Sequence, residues 1–158
     1  MPDAFGKLIT LSHLLKDGPT IVVFYRGDWC PYCNLTLRAY QQILPQIVAN
    51  GGALIAISPQ TPDHSLETSQ NKHLTFPVLS DVGNQVARQY RLAYKLSEGI
   101  RASFAHVPAY NGDDSYELPI PATFLLHKDR VIHYAFLDPD FTHRAEPTEF
   151  LNALRQLR

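Results

Sequence analysis

Two cysteines at the seam between a strand-like run and a helix-like run constrain this chain more than any other feature. Thr20-Ile21-Val22-Val23-Phe24-Tyr25 is β-branched and aromatic, follows a Gly18-Pro19 turn and reads as a buried central strand that Gly27 ends. From Pro31 the pattern is helical, with Tyr40, Ile43, Leu44, Ile47 and Val48 on one face and Gly51-Gly52 as the stop. Pro45 is expected to kink or divide that helix. Cys30-Pro31-Tyr32-Cys33 occupies the junction, so both thiols are expected in the first helical turn, at the end of the strand.

The rest of the chain continues the alternation. Ala53 to Ser58 predicts a second buried strand, Thr61 to Lys72 a polar surface helix introduced by Pro62, and Phe76 to Leu79 a short third strand. Asp81 is a suitable N-cap for a helix burying Val82, Val86, Ala87 and Tyr90. Ala122 to Leu126 and Val131 to Leu137 flank a His127 to Arg130 turn as a hairpin, and Pro147 starts a last helix with Phe150, Leu151, Leu154 and Leu157 inward. Without repeats or a linker, residues 1–158 read as one α/β domain, a mixed sheet with helices on both faces. Tyr94 to Pro119 stays open between helix, loop and cover, apart from a turn at Tyr110-Asn111-Gly112.

Composition removes several classes of function. With 45% hydrophobic residues the chain can build a core, and a net charge of -1 with pI near 6.6 gives no electrostatic case for nucleic acid or an anionic membrane. The apolar runs Ile21 to Tyr25 and Ala53 to Ile57 are too short to span a bilayer. The first residues lack a basic region before a long apolar stretch, so a cytoplasmic protein is expected. Two cysteines are too few for a disulfide framework; three residues apart, they point to redox or metal chemistry. The histidines at 13, 64, 73, 106, 127, 133 and 143 form neither an HxxxH pair nor part of a second CxxC set, so no metal site and no cofactor are expected. A metal-carrying thiol module and a redox-silent binding scaffold stand as the rival readings.

The attacking species in thiol chemistry is the thiolate, and an ordinary cysteine is only a few per cent ionised at neutral pH. A helix N-terminus supplies free N–H groups and the positive end of the dipole, so Cys30 is placed to ionise. Cys33, one turn on, can donate to that thiolate and later close a disulfide. Pro31 suits the first turn, Trp29 offers an apolar wall, and Arg26 is a candidate to hold an anionic sulfur. The plain alternatives are a rim tryptophan and a solvated loop arginine.

Phe24 to Cys33, with Ile57-Ser58-Pro59-Gln60, Leu79-Ser80-Asp81, Ile120-Pro121-Ala122-Thr123-Phe124 and Phe136 to Asp140, resembles the alkyl hydroperoxide reductase and thiol-specific antioxidant (AhpC/TSA) family. The closer likeness is to its peroxiredoxin-like branch with a thioredoxin-style CxxC. The resemblance implies a thioredoxin-like fold, a disulfide or hydroperoxide substrate, and electrons from a cellular dithiol of the thioredoxin or glutathione type. A homodimer is compatible with it. Relatives carry more sequence before Asp3 to Lys7, so a first strand is expected to be missing or replaced.

The family pattern Pro-x-x-x-Thr/Ser-x-x-Cys puts Cys33 on the peroxide-attacking cysteine, Cys30 on the hydroxyl residue and Arg26 on the proline. The family's arginine falls near Pro121, so the cation that polarises a peroxide is expected to be absent. Pro121 resembles instead the cis-proline facing the cysteines of thioredoxins, where a peptide substrate pairs with the backbone. Phe24 replaces thioredoxin's buried acid, which leaves Asp28, water or substrate as proton acceptor. The expectation is therefore a disulfide reductase, with Cys30 attacking and Cys33 resolving; the alternative is a peroxidase with Cys33 attacking. Asp138-Pro139-Asp140 and Arg144-Ala145-Glu146-Pro147 recur in similar sequences, but read as a polar turn and a helix start without chemistry.

Overall fold

The computed structural model describes residues 1–157. In order these form α1 (Leu11–Asp17), β1 (Thr20–Phe24), α2 (Pro31–Ala49), β2 (Ala53–Ser58), α3 (Pro62–Asn71), β3 (Val78–Ser80), α4 (Gln85–Gln89) and β4 (Ala93–Lys95). A 3-10 segment (Glu98–Phe104), α5 (Val107–Asn111), β5 (Glu117–Pro119), β6 (Ala122–Leu126), β7 (Ile132–Leu137) and α6 (Pro147–Gln156) follow.

β1 lies at the centre of a five-stranded sheet ordered β3-β2-β1-β6-β7, with β1, β2 and β3 parallel and β6 and β7 antiparallel to their neighbours. Successive residues of a strand face opposite sides, so β1 feeds two cores. Ile21, Val23 and Tyr25 pack with Leu37, Tyr40 and Ile47 of α2 and with Phe150, Leu151 and Leu154 of α6. Val22 and Phe24 pack with Leu15 of α1 and Ala87 of α4 on the other side. Helices cover both faces of a mixed sheet, the expected thioredoxin-like architecture. Among the described residues no helix is long and apolar enough to cross a membrane.

Several local expectations are corrected by tertiary packing. α2 runs unbroken from Pro31 to Ala49 with Pro45 inside it. Pro45 lies on the exposed side, where the carbonyl it leaves without an N–H partner can reach water, and burial of Tyr40 and Ile47 secures the helix on either side of it. Val48 points outward at 60% exposure rather than joining the inward face. Asp81 is not the N-cap residue of α4; Asn84 is, in the left-handed region. The Asp81 carboxylate still accepts from the N–H groups of Val86 and Ala87 at 3.0 and 2.9 Å, so it satisfies the helix start from outside the cap position. Val82 stays exposed. α3 turns hydroxyls rather than apolar groups inward: Ser65, Thr68 and Ser69 are buried, and Ser65 Oγ meets Ser80 Oγ at 2.7 Å. The third strand is Val78–Ser80, two residues later than expected at its start. Ahead of α1 there is no further named strand; single bridges from Pro2 to Leu8 and from Asp3 to Leu79 lie along the outer edge of β3.

Tyr94 to Pro119 is a cover. Leu96, Val107 and Leu118 form a small core of their own, against which Trp29, Tyr94, Phe104 and Tyr116 pack.

Candidate active site

The cysteine loop leaves the carboxyl end of β1 and enters α2 within six residues, and backbone geometry explains how. Gly27 has φ +154, and a Cβ there would lie 2.4 Å from Trp29 Nε1, so the indole folds back on a position only glycine fills. Asp28 N–H donates to Gln60 Oε1 at 2.6 Å, Cys30 N–H to the Gly27 carbonyl at 3.1 Å, and Asn34 Nδ2 to the Asp28 carbonyl at 2.7 Å. The buried Gln60 also donates to Thr68 Oγ1 at 3.2 Å, which ties the loop to α3. Cys30 becomes the N-cap of α2 and Pro31 its first residue, as expected.

The two thiols are reduced and buried, Cys30 at 1% and Cys33 at 0% exposure. Their acidities are split. The hydrogen bond from the Cys33 side chain, then the Cys33 backbone N–H and the charges of Arg26 and Arg144, bring Cys30 down to about 6 against the opposing effect of burial. Burial, and then the neighbouring Cys30 sulfur, push Cys33 well above an ordinary thiol. Cys30 is therefore the more acidic thiol of the pair, and Cys33 the one that burial keeps protonated.

Arg144 is the residue that sequence reasoning missed. Its Nη2 donates to Cys33 Sγ at 3.4 Å, so a cation stands at the position expected to lack one. The segment given no chemistry is what holds it there. Asp140 N–H donates to Asp138 Oδ1 at 2.9 Å, Thr142 N–H to Asp140 Oδ1 at 3.0 Å, and His143 Nδ1 meets Asp138 Oδ2 at 2.8 Å. Arg144 Nη1 then bonds the carbonyls of Phe141 and His143. The only signal in the sequence was the recurrence of this segment among similar chains.

A cavity of about 10 Å³, the size of a single water, lies beside Cys33 against Thr36, Pro121, Thr123 and Arg144. An open groove of about 260 Å³, with Tyr32, Leu35 and Tyr40 along it, shares the Thr36, Arg144 and Ala145 wall.

The remaining candidates are distributed unevenly. Trp29 is half-buried beside the pair, edge-on to Phe104 and His106 with centroids 5.8 and 4.6 Å away. Arg26 is buried at 3% exposure against aromatic rings. Pro121 lines the cavity wall, but no cis peptide occurs among the described residues, so the expected cis-proline is corrected to a trans one. The Asp28 carboxylate pairs with Lys72 and so is engaged away from the role of proton acceptor. The histidines do not gather at the sulfurs; His127, Asp129 and His133 meet at the hairpin turn, at the opposite end of β6 from Pro121.

The chain matches the model of the AhpC/TSA family over residues 1–135. It is 28% identical over 134 residues to a chloroplastic peroxiredoxin Q of Oryza sativa subsp. japonica, covering 85% of this chain and 53% of that one. With the chloroplastic peroxiredoxin Q of Populus jackii it shares 28% over 90 residues, covering 57% and 42%. The chain thus spans about half the length of these curated relatives. Among solved structures, peroxidoxin BcpB from Mycobacterium tuberculosis superposes with TM-score 0.81 at 21% identity, covering 100% of this chain and 92% of that one. The bacterioferritin comigratory protein of Xanthomonas campestris gives TM-score 0.77 at 16% identity, covering 99% and 89%. At these identities the structures establish a shared fold.

Proposed function

Because the chain belongs to the AhpC/TSA family, we propose that it is a thiol-dependent oxidoreductase that reduces hydroperoxides and disulfides through a Cys30/Cys33 cycle. The observation that carries this reading is the placing of the pair: both thiols are buried at the start of α2, with Arg144 Nη2 donating to Cys33 Sγ at 3.4 Å, and the directions of their acidities agree with it, Cys30 drawn down and Cys33 pushed up. Cys30 thiolate attacks the distal oxygen of a hydroperoxide, the O–O bond breaks, and with one proton from solvent the products are an alcohol and Cys30 sulfenic acid. Cys33 then attacks that sulfur, its proton leaving with the hydroxyl as water, and the disulfide closes. A dithiol donor restores both thiols and becomes a disulfide itself.

Burial modifies the expectation of a disulfide reductase. At 1% exposure Cys30 is closed to a protein disulfide unless its cover moves, and the cavity beside the pair has the size of a single water, so a small hydroperoxide is the favoured first substrate. Exchange with a protein dithiol of the thioredoxin type requires the cover over Trp29 to part. The cations Arg26 and Arg144 oppose a metal dication at the two sulfurs, which counts against the metal-carrying rival. A reducing compartment such as the cytoplasm suits a dithiol cycle.

One arrangement favours the alternative in which Cys33 attacks peroxide. It matches the family's cysteine register, it borders the water-sized cavity, and Arg144 bonds its sulfur. The two readings separate on the single variants Cys30→Ser and Cys33→Ser, each treated with one equivalent of hydrogen peroxide and a sulfenate trap and read by mass spectrometry. Cys30-first chemistry gives trapped sulfenate on Cys30 in Cys33→Ser and little in Cys30→Ser. Fast trapping on Cys33 in Cys30→Ser, with none on Cys30, would reverse the assignment.

A further inference from the structure

Arg26 is a buried cation without a carboxylate. It is 3% exposed, it takes part in none of the ion pairs among the described residues, and its Nε is buried without a hydrogen-bond partner. Aromatic rings enclose the guanidinium: Phe141 at 4.2 Å, Trp29 at 4.9 Å and Phe104 at 5.4 Å from their centroids. Cation–π contacts are worth about 0.5–2 kcal/mol each and do not neutralise the charge. An unpaired buried ion is strongly unfavourable, so the position calls for an anion. Trp29, whose ring the guanidinium faces, directly precedes Cys30, and the Cys30 N–H closes a turn onto the Gly27 carbonyl at 3.1 Å, so the sulfur on that same short turn is the candidate anion, and the Arg26 charge favours its ionised form.

We infer that Arg26 is the buried counter-ion of the Cys30 sulfur, and that this pairing biases the Cys30/Cys33 couple toward the dithiol, so that a weakly reducing donor suffices to regenerate it. This rests on the cycle proposed above. Above the Cys30 pKa, the disulfide takes two electrons and one proton to give Cys30 thiolate and Cys33 thiol. Arg26 stabilises that product, whereas in the disulfide it faces no charge. A stabilised reduced form is what makes a dithiol/disulfide couple oxidising. The other charged or titratable groups acting on Cys30 are Cys33 on α2, Arg144 before α6 and Tyr94 on β4, and none of them relieves Arg26 of its charge.

The test compares wild type, Arg26→Met and Arg26→Lys in two measurements made without substrate: the pH titration of thiolate absorbance, and the dithiol/disulfide ratio after equilibration in glutathione redox buffers. Arg26→Met should raise the Cys30 midpoint by about one unit and shift the equilibrium toward disulfide by about five- to tenfold, with tenfold corresponding to about 30 mV. Arg26→Lys should keep most of both. A folded Arg26→Met protein with an unchanged midpoint and an unchanged ratio would overturn the assignment. If Arg26→Met does not fold, the wild-type midpoint decides. A desolvated pair should keep it constant between low salt and about 1 M salt, and a midpoint that climbs as salt screens the pair would refute burial as its basis. Neither measurement uses peroxide turnover, so an inactive protein that shows these shifts would count against the proposed function alone.

Discussion

Arg144 and Cys33 are 111 residues apart in the chain, yet Nη2 of one and Sγ of the other are 3.4 Å apart. The contact lowers the cost of ionising a thiol that burial otherwise keeps protonated. Resolution of a sulfenate needs that thiol to lose its proton, so Arg144→Met should slow disulfide closure by about tenfold while changing the first peroxide step less. Single-turnover fluorescence of Trp29 separates the two steps. A loss of about 10² or more in the peroxide step, with closure unaffected, would instead mark Arg144 as an electrostatic stabiliser of O–O cleavage at Cys33.

The acidity of Cys30 has a consequence for stability. Its folded value, about 6, lies below that of an unfolded thiol near 8.5–9. Between these values the unfolded chain binds more protons, so the stability of the reduced protein gains from rising pH across that window and loses the gain as pH falls through 6. Cys33 acts in the opposite sense at higher pH, because its raised value leaves it protonated where the unfolded thiol ionises. Urea denaturation of reduced wild type and Cys30→Ser across pH 5 to about 9 should show a pH-dependent gap that widens with pH. A constant gap would contradict the assigned acidity.

Asp28 provides a negative control for proton transfer. Its carboxylate is paired with Lys72, whose ammonium burial makes easier to deprotonate. Asp28→Asn should cost about 1–2 kcal/mol of stability, since a half-buried ion pair loses one partner. It should leave the pH profile of peroxide reduction in place. A profile that loses its acidic limb would restore Asp28 as proton acceptor.

What could be read from the sequence was what neighbours in the chain determine. The β1, Cys30, Pro31 and α2 junction follows from a β-branched run, a glycine and a proline at a helix start, and the structure places Cys30 and Pro31 as expected, with β1 ending one residue earlier, at Phe24. β2, the hairpin and α6 were equally legible, because each has its own periodicity. Arg144 was not, since nothing local in Arg144-Ala145-Glu146-Pro147 indicates that a guanidinium will meet a sulfur carried by α2. Nor was the cover, whose buried residues Leu96, Val107 and Leu118 are spaced irregularly and pack on Trp29 rather than on the main core. Pro45 and Asp81 show tertiary packing and a longer capping reach prevailing over the local rule.

Gly27 tests how tightly the loop is specified. In Gly27→Ala the new methyl meets the indole nitrogen of Trp29 and the backbone keeps a conformation unfavourable to L-residues. The expected cost is about 1–3 kcal/mol in stability, accompanied by displacement of Trp29, read as a fluorescence shift. An unshifted spectrum with full stability would show that the loop relaxes without strain.

Tyr40 links the three pieces of the site. Its hydroxyl lies 3.1 Å from Thr123 Oγ1 on β6 and donates to the Ala145 carbonyl at 3.0 Å, next to Arg144, while its ring packs edge-on against Phe150 with centroids 4.9 Å apart. Burial pushes the phenol up to about 12, so it acts as a neutral hydroxyl and not as a proton donor at working pH. Tyr40→Phe keeps the ring and leaves two buried polar groups short of a partner, a change worth about 1–3 kcal/mol in urea denaturation. Because Ala145 then loses its tether, the segment carrying Arg144 gains freedom, and disulfide closure should slow in the same direction as in Arg144→Met, by a smaller factor. The double variant decides whether the two share a route. If Tyr40 acts by positioning Arg144, Tyr40→Phe has almost no kinetic effect once Arg144 is methionine. Additive slowing would mean that Tyr40 reaches the sulfurs by another path.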